Sequence, residues 1–151
     1  MLENLVVELH MIFNAVLAAF FGLLIGLERK GGRRGAGSRT FALICMGSAV
    51  FTLLSVYGFP ESSSPERIAS QIVVGIGFIG AGVIWRQRME AVHGITTAAG
   101  IWITAGVGIA IGLEFYILAF FTTILTMMIL ARGHPIETAK VNLGELLDGD
   151  K

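Results

Sequence analysis

The chain has 151 residues, of which 54% are hydrophobic, 15% charged and 20 are glycine. A mean hydropathy of +0.77 with so few charges excludes an ordinary soluble domain, whose wetted surface needs closer to a quarter charged residues. The formal net charge of +0 excludes a nucleic-acid binder held by a broad basic field. No Cys/His cluster has zinc spacing either, since Cys45 stands alone and His10, His93 and His134 are scattered.

A bilayer core about 30 Å thick requires roughly 20 mainly apolar residues per helix. The first candidate runs over 9–27 and stops at Glu28-Arg29-Lys30; its basic cluster follows the apolar stretch, the reverse of a signal peptide. The second covers 40–57, just after Arg39. The third covers 68–85 and is introduced by Ser64 as a cap with Pro65 at the first helical position. The fourth covers 95–113 and the fifth 115–131, joined so closely that they predict a tight antiparallel hairpin. Arg132-Gly133-His134-Pro135 stops the fifth. The expected fold is an all-α integral membrane protein, a compact bundle of about five transmembrane helices in one domain over 1–135. A short polar tail over 136–151 cannot bury a core of its own.

Ten of the eleven basic residues fall after spans one, three and five, leaving Arg67 alone on the other side. Because basic loops stay in the cytoplasm, this predicts an outside N-terminus and a cytoplasmic C-terminus. By the same rule the basic loop 28–39 sets topology, with anionic lipid head groups or a partner's acidic face as additional ligands. Trp85 fits an interfacial anchor, whereas Trp102 lies mid-span and is expected to pack on a neighbouring helix.

Glycines recur inside the spans. Gly22 with Gly26, and Gly108 with Gly112, are pairs one helical turn apart that let helix backbones approach closely in lipid. Gly75, Gly77, Gly80 and Gly82 crowd the third span and admit two readings. One is close packing; the other is a broken helix exposing carbonyls to an ion or solute. The run Gly75 to Gly80 also matches G-x-G-x-x-G, but it lies inside an apolar run with no acidic residue at the ribose position, so no dinucleotide site is expected.

Asn14 and Gln71 are expensive to bury and should face a partner helix or a cavity, while the threonines of the spans should bond their own preceding turns. Glu28 is the carboxylate closest to the apolar segments. It either pairs with Arg39 across the cytoplasmic end or binds a cation, with Asn14, Thr40 or Thr97 as companion oxygen ligands for a hard ion such as Mg²⁺.

Four blocks between Ala18 and Leu113 carry a family resemblance. They are Gly22-Leu-Leu-Ile-Gly-Leu-Glu-Arg29, Arg39-Thr-Phe-Ala-Leu43, Gln71-Ile-Val-Val-Gly-Ile-Gly-Phe-Ile-Gly-Ala-Gly-Val-Ile84, and Gly94-Ile-Thr-Thr-Ala-Ala99 with Trp102. In that order they resemble the MgtC/SapB family of bacterial membrane proteins. The resemblance covers the transmembrane part and not the C-terminal cytoplasmic domain of the ACT type that many members carry. It implies a multi-pass protein of the bacterial cytoplasmic membrane, connected with magnesium homeostasis and adaptation to low Mg²⁺ or acid stress. It also implies regulation of another membrane complex such as the F-type ATP synthase, with Mg²⁺ or other cation transport past the span-three glycines and Glu28 as the alternative. The motif positions carried over are Glu28, Arg29, Arg39, Thr40, Gln71, Gly75, Gly77, Gly80, Gly82, Gly94, Thr96 and Thr97. None is catalytic, so no enzyme activity and no cofactor are expected, Mg²⁺ entering only as ligand or transported ion. The expected partners are the lipid bilayer and a second copy in a homodimer through glycine-lined faces, and no nucleic acid.

Overall fold

The computed structural model describes residues 2–28, 36–58, 67–86 and 92–131. Five helices follow in order: α1 (Leu2–Leu27), α2 (Ser38–Tyr57), α3 (Arg67–Val83), α4 (Ile95–Gly112) and α5 (Tyr116–Ala131). Each coincides with one of the five apolar segments. The largest difference is at α1, which starts at residue 2 instead of 9. Residues 2–8 contain no Gly or Pro to stop a helix, and hydropathy marks the part fit for lipid, not the point where the hydrogen-bonded ladder ends.

Three helices are long and apolar enough to cross a membrane, over Asn4–Leu27, Ser38–Tyr57 and Ile95–Gly112. The apolar α3 and α5 are shorter, at 17 and 16 residues. Between α3 and α4 a two-residue antiparallel ladder pairs Trp85 with His93 and Arg86 with Val92, a detail the apolar pattern does not signal. The Trp85 side chain, the Ser64–Pro65 helix start, the basic residues of 29–34, Arg88, and the 132–151 segment lie outside the described residues.

The core is built on α2. A Cβ at Gly22 would lie 2.5 Å from the Phe41 carbonyl oxygen and 2.7 Å from Cys45 Cβ, and one at Gly26 would lie 2.5 Å from Ser38 Cα. As the α1 position rises the α2 partner falls, so α1 and α2 are antiparallel. On α4, a Cβ at Gly108 would run into the Cys45 carbonyl and Ser48, and one at Gly112 would lie 2.7 Å from Thr52 Cβ and 2.9 Å from the Ala49 oxygen. Here both positions rise together, so α4 runs parallel to α2. Lipid supplies no hydrophobic drive for helix association, so stability must come from dispersion at such close approach. Phe41 then fills one end of the bundle, with its ring against Gly100 and Leu130 nearby.

Polar groups inside are largely satisfied within their own helices. Thr52, Thr104 and Thr126 donate to the carbonyls of Ser48, Gly100 and Thr122 at 2.8, 2.7 and 2.7 Å. Thr123 is the exception, a buried hydroxyl without a partner among the described residues. Trp102 does not pack inward as expected; it is 53% exposed. The side of α4 against α2 admits only small residues at its crossing points, and the indole takes the outer face.

Two substitutions test this packing by thermal unfolding in detergent. Gly108→Ala drives a methyl into the α2 backbone and should cost about 1–3 kcal/mol, whereas Gly106→Ala, where a Cβ meets nothing within 4 Å, should be tolerated. Thr123→Val removes an unpaired buried hydroxyl at nearly constant shape and should raise stability by about 1 kcal/mol.

Candidate functional site

The bundle has two chemically different ends. At one, α1 finishes, α2 begins and α4 begins, and here most of the motif positions collect. Glu28 and Arg39 are exposed, Thr40 is half-buried, Thr96 is exposed and Thr97 is buried. The expected Glu28–Arg39 ion pair is not formed. Both groups sit in the open at helix ends, where a water-exposed pair gains little. Nor can Asn14 share a cation with Glu28, because fourteen residues of α1 separate them, about 21 Å along the axis. No group of three His, Cys, Asp or Glu side chains able to hold a metal occurs among the described residues. Arg29 lies outside them.

Gly94 is the most constrained position at this end. Its φ of 91° is in the left-handed region, and a Cβ there would strike the Val83 carbonyl. The residue therefore serves two needs at once, turning the chain into α4 and letting the end of α3 approach. Its carbonyl accepts the Ala98 N–H at 2.8 Å to start the helix.

α3 is a continuous helix from Arg67 to Val83, so the broken-span reading of its glycines fails. Only Ile76 and Gly80 of α3 are buried, Gly80 against Ala98 of α4. At Gly75, Gly77 and Gly82, and at Gly47 on α2, a Cβ would meet nothing within 4 Å. A groove of about 390 Å³ separates α2 from α3, walled by Ile44, Phe51, Ile72 and Ile76, with Gly47 and Gly75 facing it and Gln71 on its rim.

The opposite end, where α1 begins and α2 and α4 finish, holds the principal side-chain network. Tyr57 of α2 donates to Glu114 Oε1 at 2.6 Å, and His10 Nε2 of α1 lies 2.9 Å from the same oxygen. The fully buried Asn14 amide is 3.0 Å from that Nε2, and Tyr116 of α5 donates to Asn14 Oδ1 at 2.9 Å. Glu114 occupies the α4–α5 turn with φ 64°. The Glu114 N–H bonds to the Ile111 carbonyl and the Phe115 N–H to the Ala110 carbonyl, at 2.9 and 2.8 Å. This is a Schellman helix end, whose left-handed position normally belongs to glycine and costs other residues about 1–2 kcal/mol. Hydrogen bonds from Tyr57 and then His10 hold the Glu114 carboxyl below its ordinary range.

A family model, described as the MgtC family, matches residues 15–139. The chain belongs to the MgtC family. It is 42% identical over 138 residues to the "Putative magnesium transporter YhiD" of Escherichia coli K12, covering 87% of this chain and 64% of that protein. It is 48% identical over 116 residues to "Protein MgtC" of Salmonella typhimurium, covering 77% of this chain and 49% of that one. An uncharacterized protein of Haemophilus influenzae is 41% identical over 123 residues, covering 76% and 50%. The chain thus spans about half to two-thirds of the length of these relatives. No solved structure matches.

Of the network at the far end, the MgtC-family motifs include none, and sequence reasoning singled out Asn14 alone. Two signals were present: His10 and Asn14 are four residues apart on one helix face, and a carboxylate stands in a tight turn between two apolar helices. At the motif end, Gly94→Ala should lower stability by about 1–3 kcal/mol through left-handed strain and the Val83 contact, while Thr96→Ala on the exposed surface should change it little; chemical unfolding of the two variants in detergent checks the contrast.

Proposed function

We propose that this MgtC-family chain serves magnesium homeostasis and adaptation to low Mg²⁺ or acid stress by contacting another membrane complex inside the bilayer, without catalysis. The reading sets it in the bacterial cytoplasmic membrane with five crossings, its N-terminus outside and its C-terminus in the cytoplasm, in line with the concentration of basic residues at one end. The F-type ATP synthase is the partner implied by the family resemblance, and a second copy of the chain uses the same kind of contact.

One observation carries this reading. Gly22 and Gly26 of α1 and Gly108 and Gly112 of α4 are consumed by crossings within the bundle, whereas at Gly75, Gly77 and Gly82 of α3, as at Gly47 of α2 and Gly106 of α4, a Cβ would meet nothing within 4 Å. Lipid tails gain nothing from a glycine at their surface, and glycine weakens a helix; another helix seated against it gains close backbone approach. Gln71, exposed on the same helix and without a hydrogen-bond partner among the described residues, is the kind of polar group that bonds across to such a helix.

Two experiments separate this from cation transport, the reading favoured by the name of the Escherichia coli relative. Gly75→Leu has room for its side chain, so the protein should fold normally but lose co-purification of an ATP synthase subunit after mild crosslinking in native membranes. Retention of that subunit at the wild-type level would count against the contact surface. In proteoliposomes carrying a Mg²⁺-sensitive dye, the expected result is no influx above empty liposomes. Saturable influx that disappears in folded Glu28→Gln would instead establish transport, with Glu28 on the pathway.

A further inference from the structure

The His10–Glu114 network serves no part of the reading above, yet it joins α1, α2, the α4–α5 turn and α5. Its carboxylate is carried at a helix-end position where glycine would be unstrained. A non-glycine residue persists there when its surroundings over-determine it, and here two hydrogen bonds converge on one oxygen of Glu114. The titratable groups that meet in the network are His10 on α1, Tyr57 on α2, Glu114 in the turn and Tyr116 on α5. Among the described residues, Glu8 on α1 and Arg67 at the start of α3 are further charged groups at this end; both are exposed, and neither bonds to the network.

We propose that His10, Tyr57 and Glu114 form a proton-responsive clasp at the end of the bundle away from the basic loops, fastened by the Glu114 carboxylate and released when that carboxylate takes up a proton. Nε2 cannot accept from the Asn14 amide and donate to Glu114 at once. With hydrogen on Nε2 the bond to Glu114 is made.

Opening requires the Glu114 carboxylate itself to be protonated. Its carboxyl is held below the ordinary range, first by Tyr57 and then by His10. A carboxyl lowered by folding stabilises the fold above its unfolded value, and that contribution disappears as pH falls through the folded one. The clasp therefore keeps α1 fastened through mild acidity and loosens only as pH falls below the range in which an ordinary glutamate titrates.

The test uses the full chain in nanodiscs. Spin labels are placed at the exposed positions Val6 and Ile117, and buried Cys45 stays in place. A single narrow distance between the labels is expected at neutral pH and through mild acidity, broadening as pH falls below the ordinary glutamate range. Glu114→Gly, which also relieves the turn and so should fold, should give the broad distribution at every pH. A narrow distance that persists unchanged into strong acid would overturn the proton response. A wild-type-like distance in Glu114→Gly at pH 7 would overturn the clasp.

Discussion

The structure depends on one helix being narrow enough on two sides. Around Cys45, α2 presents Ser38, Phe41 and Ala42 to the glycines of α1, and Ser48, Ala49 and Thr52 to those of α4. No side chain other than hydrogen fits at Gly22, Gly26, Gly108 or Gly112 without moving α2 backbone or Cβ atoms. In a bilayer this matters more than in water, because association there rests on contact distance and not on expelling solvent. Once α2 is held in this way, the directions of its neighbours follow. α1 runs against it and α4 runs with it, so their ends are assigned to two opposite faces of the bundle.

That assignment gives the two ends different physics. Where α2 and α4 begin, backbone constraint dominates: Gly94 adopts a left-handed turn under the end of α3, and Phe41 closes the core. At the far end, side-chain chemistry dominates. A carboxylate in a strained turn receives bonds from two other helices, and the buried Asn14 extends the network to a fourth element. The motif positions carried over from the family resemblance fall at the first end and along α3, and none of them belongs to the far-end network.

The glycines show how one residue type serves unlike purposes. Gly22, Gly26, Gly108 and Gly112 are crossing points, Gly94 is a conformational necessity, and at Gly75, Gly77 and Gly82 of α3 a Cβ would meet nothing within 4 Å. The last group, beside an apolar groove along α2, is why intramembrane contact is the favoured mode of action. The continuous course of α3 leaves its carbonyls in their own ladder, where they are unavailable to a passing ion.

The positions of all five helices were legible from the sequence, because an apolar run bounded by charge, glycine or proline has no alternative in lipid to a closed hydrogen-bonded ladder. The family was legible for a related reason, since its glycine and threonine blocks are short and ordered. What hydropathy could not convey was which glycines were spoken for: Gly22 and Gly75 look alike until the neighbour across the crossing is present. The same limit applied to Trp102, whose outward course depends on how closely α2 approaches α4, and to Glu28 and Arg39, close along the chain yet not paired with each other. Most of all it applied to the His10–Glu114 contact, which joins residues 104 positions apart. Periodicity reports the face a side chain occupies along its own helix, and only packing decides what stands opposite.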